Sequence, residues 1–198
     1  MKHSNHKIFS IFFVFILFAC NSNYTVDKRR GYFRIDFPEK AYQKFDQPSY
    51  PYTFEYPVYS IIVKDTTFFE KKPENPWWIN IDFPQFAARV HVSYKEIGKN
   101  KFDSLVNDAF QLSYRQHTYK ASAIEDSEIV TPNNIYGMYF TLAGNTATAN
   151  QFFLTDSVKH FLRGALYFSA TPNEDSIGIF NDFLKKDLFH LINTLQWR

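Results

Sequence analysis

Cysteine is almost missing from this 198-residue chain, which has one. That excludes an internal disulfide framework and any cysteine-rich zinc module. Glycine is scarce at six residues, and neither a phosphate-cradling loop nor a dinucleotide fingerprint occurs. No Ser stands on a Gly-flanked elbow of the GxSxG kind, which disfavours that class of hydrolase. Charge of one sign is lacking too: 22 basic against 20 acidic residues is no footprint for nucleic acid. Beyond residue 20 no run of eighteen apolar residues offers a transmembrane helix. Aromatic residues, by contrast, make up 20% of the chain, so a disordered or low-complexity polymer is excluded.

The single cysteine falls at an informative place. Lys2 and Lys7, with His3 and His6, form a basic start, and residues 8–18 follow as eleven residues without a charge. That length suits the apolar region of an export signal and is too short to span a bilayer core of about 30 Å. Ala19 is the small residue before Cys20, and Leu17-Phe18-Ala19-Cys20 resembles a bacterial lipobox, in which the cysteine thiol takes diacylglycerol and becomes the mature N-terminus. Phe18 is bulkier than the usual residue there. Two or more acyl chains hold a protein on a membrane stably, each buried methylene contributing roughly 0.8 kcal/mol. Lys2 and Lys7 carry the whole basic excess, so the chain from Cys20 onward is charge-balanced. No acid occurs in Asn21-Ser22-Asn23, which favours an outer-membrane anchor facing the periplasm over the inner membrane.

Residues 1–19 are thus expected to be a signal peptide, 20–30 a lipidated tether and 31–198 a single domain. Period-two alternation predicts strands at 32–37, 52–56, 59–64, 78–83 and 88–95, with the last two joined as a hairpin through Phe83-Pro84-Gln85. A helical stripe predicts a helix over 101–117, capped by Asn100 or Asp103. Strands are expected again at 136–142, 149–155 and 160–169, the last two turning at Asp156-Ser157. A long amphipathic helix, with Asp175-Ser176 as its cap, closes the chain. Strands, helix, strands, helix is the order of an α+β domain, an antiparallel sheet packed with helices. The pattern resembles the α/β/α sandwich of PsbP and Mog-one.

Three strings are unusual: Arg30 to Pro38, Trp78 to Pro84, and Gln151 to Phe168. With the lipobox they resemble the gliding-motility lipoprotein D family of the Bacteroidetes. That resemblance implies a membrane lipoprotein needed for gliding, in company with the type IX secretion machinery, with protein partners in that apparatus and no catalytic residue or cofactor. One functional position carries over, the lipidated Cys20.

The residues offer two further candidates. Asp82, Arg89 and His91 should share one outward sheet face, placing acid, base and cation together as a ligand site or else a solvated or helix-covered face. Tyr52, Tyr56, Trp77 and Trp78 lie among prolines in a segment rich in exposed-interface residue types, a candidate partner surface; core and strand-edge packing is the competing account. His91, His117, His160 and His190 are isolated in sequence, so no metal site is expected. Asp65-Thr66, Asp103-Ser104, Asp156-Ser157 and Asp175-Ser176 fit an O-glycosylation pattern resembling that of the Bacteroidetes, and equally the chemistry of turns and helix caps.

Overall fold

The structure, a computed structural model, describes residues 34–66, 73–115 and 117–198. The chain divides into two compact units, residues 1–37 and 38–198. Of the first, only 34–37 are described; they form no regular element, and Arg34 pairs with Asp36 at 3.0 Å. The strand expected over 32–37 is therefore not formed by Arg34, Ile35, Asp36 and Phe37, and its first two residues lie outside the described ones.

Among the described residues the second unit contains ten strands and two α-helices: β1 (Tyr42–Phe45), β2 (Tyr52–Pro57), β3 (Ile61–Lys64), β4 (Ile79–Phe83), β5 (Ala88–Glu96), α1 (Phe102–Tyr114), β6 (Ala121–Val130), β7 (Tyr136–Gly144), β8 (Asn150–Thr155), β9 (His160–Phe168), α2 (Glu174–Thr194) and β10 (Gln196–Trp197). A three-stranded sheet runs β1-β2-β10 and a seven-stranded one β3-β4-β5-β9-β8-β7-β6, and every pairing is antiparallel. Two meanders, β3 to β5 and β6 to β9, are thus zipped together by β5 against β9, with α1 in the crossover between them.

Each face of the large sheet carries a core, and alternation decides which residues enter it. On β8, Phe152 and Leu154 point to one face while Phe153 points to the other. The first face packs Ile79, Ile81, Val90, Val92 and Leu166 against Leu184, Leu188, Leu191 and Ile192 of α2, with Phe45, Tyr52 and Phe54 of the small sheet in the same core. The second packs Phe140, Leu142, Phe153 and Phe161 against Leu105 and Ala109 of α1. Helix, sheet, helix is the resulting layering. Gly164 is required by this packing, because a Cβ there would lie 2.3 Å from the Phe152 ring.

Turns follow their chemistry. Pro84 opens a 3-10 turn after β4, and Ala87 closes it in the left-handed region at φ 46. Between β8 and β9, Asp156 Oδ1 accepts from the backbone N–H groups of Val158, Lys159 and His160 at 3.0, 2.8 and 2.8 Å. Burial opposes its ionisation, yet these three donors hold the Asp156 carboxyl below its ordinary range.

Helix starts differ from expectation. Lys101 stands at the N-cap of α1 with no side-chain cap, so neither Asn100 nor Asp103 fills that role. On α2 the cap is Asn173, whose side chain accepts from the Ser176 N–H at 3.3 Å, while Glu174 and Asp175 occupy the first turn.

Candidate functional site: a polar half-face of the sheet

Helix α1 covers the β6–β9 half of its sheet face, because Met138, Phe140, Leu142, Phe153 and Phe161 supply an apolar bed there. The β4–β5 half has no such bed. Its outward positions are Asn80, Asp82, Arg89, His91, Ser93 and Lys95. Register makes Asp82 the direct partner of Arg89 and Asn80 that of His91. The guanidinium of Arg89 donates to both carboxylate oxygens of Asp82, at 2.6 and 2.7 Å, and the pairing raises the Arg89 pKa. His91 Nδ1 lies 2.6 Å from Asn80 Oδ1. Burial is the main reason the His91 pKa is lowered, with the Arg89 charge adding to it. The three residues expected together are therefore together, and they line a concavity of about 430 Å³ with Tyr167.

A second concavity, about 410 Å³, opens between α1 and the β5–β9 pair and shares Tyr167 with the first. Arg163 of β9 lies in its wall, and sequence reasoning passed over this residue. The signal was available: a cation within an otherwise apolar strand, His-Phe-Leu-Arg-Gly-Ala-Leu-Tyr-Phe.

The aromatic candidates separate. Tyr52 is fully buried, and its hydroxyl donates to the Trp77 carbonyl. Trp78 is buried as well, donating Nε1 to the Tyr94 carbonyl at 2.7 Å. These two are core residues, removed from any surface by the apolar area they bury. Tyr56 and Trp77 are half-buried at the edge of the same core. Nearby in the chain, Val58, Ile61 and Val63 are exposed, the last two on the edge strand β3.

Cys20 lies outside the described residues. Among the described residues no cluster of three metal-ligating side chains occurs, and no helix is long and apolar enough to cross a membrane. Ser104, Ser157 and Ser176 are exposed, each in a turn or first helical turn; Thr66 is described and exposed, and Thr67 is outside the described residues.

The family model for the gliding motility lipoprotein GldD matches residues 22–197. The chain belongs to that family. The GldD match spans both sheets and both helices described above. Among solved structures, this GldD-family chain is similar to the solution structure of cyanobacterial PsbP (CyanoP) from Synechocystis sp. PCC 6803, at 11% identity and a TM-score of 0.44, covering 81% of this chain and 95% of that one. No curated protein matches.

Proposed function

We propose that this GldD-family protein is held on a membrane by acyl chains on Cys20 and supports gliding motility, with the associated type IX secretion machinery, through protein–protein contact and without catalysis. The observation carrying this reading is the family match, which begins two residues after the cysteine of a lipobox-like string. Tethering makes docking efficient, since confinement near a membrane-bound partner raises effective concentration without any new contact. The absence of acids in residues 21–23 favours the outer membrane and a periplasm-facing domain. Tyr56 and Trp77, with the exposed Val58, Ile61 and Val63, make up the docking face in this reading.

The test is affinity capture of the tagged protein from crosslinked native membranes, beside a Cys20→Ala strain. Recovery of secretion-motor components that depends on Cys20 is expected, as is loss of spreading and of adhesin secretion on deletion. A deletion strain that glides and secretes normally would sink the reading.

A second reading has one observation in its favour, the concavity lined by Asp82, Arg89 and His91: a ligand- or cell-wall-binding module. Replacing all three by Ala should then abolish function while the protein stays folded and keeps its partners. Retained function would remove this reading.

A further inference from the structure

Among the described residues Arg163 of β9 is a half-buried cation set in an apolar strand. Its backbone pairs within the sheet, opposite Ser93 on one side and Phe153 on the other. Its side chain points to the α1 face and is half-buried, and burial lowers its pKa. The guanidinium offers five N–H donors. Among the described residues the acceptor it meets is one amide oxygen, Gln151 Oε1. That oxygen is already shared, for it also accepts from Ser113 Oγ at 3.2 Å. Gln151 Nε2 is buried in the same network with no hydrogen-bond partner among the described residues. Among the described residues no carboxylate lies within ion-pair distance of Arg163. A half-buried cation with so few acceptors leaves donors unsatisfied unless something else meets it. The contrast with Arg89 on the same face is direct, since that guanidinium is paired through two of its donors with the Asp82 carboxylate.

What lies beside Arg163 is a cavity. At about 410 Å³ it falls in the size range of small-molecule sites, about 300–1,000 Å³. Trp78, Leu105, Leu112 and Phe161 make its walls apolar. Lys95 adds a second cation at the lining, held loosely by Glu74 at 3.5 Å. Asp108, exposed on α1, is the acid of the rim. With Asp108 there, the site suits a single negative charge directed inward at Arg163 and an apolar body behind it.

We propose that the cavity between α1 and the β5–β9 pair binds a small monoanionic carboxylate with an apolar or aromatic body, its carboxylate held by Arg163. The wall chemistry selects the body, and the guanidinium fork selects a planar two-oxygen acid over a neutral isostere. The inference is independent of which proteins the domain docks against.

The test uses 2-naphthoate as probe and 2-naphthamide as its neutral twin. Both are titrated calorimetrically into the full lipidated protein purified in detergent. Saturable one-to-one binding of naphthoate is expected, with naphthamide weaker by about tenfold or more, the difference a charged hydrogen bond makes. Arg163→Gln should bring naphthoate down to the naphthamide level. Leu112→Trp, which fills the cavity and leaves Arg163 in place, should abolish binding of both. Should Arg163→Gln fail to fold, Leu112→Trp and the amide comparison decide the matter alone. Equal affinity for acid and amide, binding undiminished in Leu112→Trp, or no saturable binding to the folded native protein would overturn the proposal.

Discussion

Among the described residues Asp187 is the most deeply buried acid, and four groups converge on it or its partner. Lys40 Nζ pairs with Oδ2 at 2.7 Å and also donates to the Phe183 carbonyl and the Tyr59 hydroxyl, at 3.0 and 2.8 Å. Tyr42 and Tyr59 donate their hydroxyls to the carboxylate at 3.0 and 2.5 Å. Burial first, and the bond to Asp187 second, push the Tyr42 pKa up to about 12. The cluster fastens Lys40 just before β1, Tyr42 at its start and Tyr59 just after β2 to α2. Asp187→Leu should therefore destabilise the domain by about 3 kcal/mol or more, because it strands a half-buried ammonium and two hydroxyls. Urea unfolding measures this, and adding Lys40→Met to the same chain should recover part of the loss. An unchanged urea midpoint for Asp187→Leu would show that the cluster contributes nothing net. None of this was legible beforehand: Lys40 and Asp187 are 147 residues apart, and each alone resembles any surface charge.

At the scale of elements, the two helix starts invite opposite changes. Lys101 has extended backbone at φ −75 and ψ 129, the geometry of a cap without the side chain for one. Lys101→Asp should add about 0.5–1 kcal/mol through the cap bond and the helix dipole, whereas Asn173→Ala should cost about 1 kcal/mol. Thermal melts of the two variants should move in opposite directions. Elements with strong internal pattern were readable in the sequence: β4, β5, β7, β8, β9 and both helices arise where alternation or a helical stripe is sustained. Those whose reason for being a strand lies elsewhere were not. β6 is an edge strand with Glu125, Asp126 and Glu128 exposed, so its pattern signals solvent, and charge there guards against edge pairing. β1 and β10 are four and two residues long and exist by pairing with β2. The string Ile-Asp-Phe-Pro makes the point twice: at 81–84 it ends a central strand, while at 35–38 the same four residues form no strand. The polar half-face was readable because its residues alternate within two neighbouring strands. Arg163 was passed over because its cavity needs α1 and β9 together.

At the scale of the whole molecule, three imidazoles share one bias. Burial lowers the pKa of His91, His117 and His160 below the ordinary 6.5. His160 is also held by the Tyr94 hydroxyl at 2.6 Å and stacks on Trp197, while Asp156 partly opposes its shift. Below about pH 6.5 the unfolded chain takes up protons that these folded sites refuse, so stability falls as pH falls. Urea midpoints should be level above about pH 7.5 and decline from about 6.5 toward 5, with His160→Gln flattening the slope. A midpoint constant across that window would contradict the assignment. The pairing plan has a consequence of another kind, in the order of events as the chain is made. β5 lies beside β9, whose last residue comes seventy-two positions later, and Tyr52 on β2 finds its strand partner only at Trp197. Synthesis from the N-terminus therefore delivers half a sheet with one side unanswered and a core without α2. Such long-range closure is slow and leaves strand edges bare until the end. Chains of this protein remain open until Gln196 and Trp197 have been made, and a truncation before Gln196 withholds the strand that completes the small sheet.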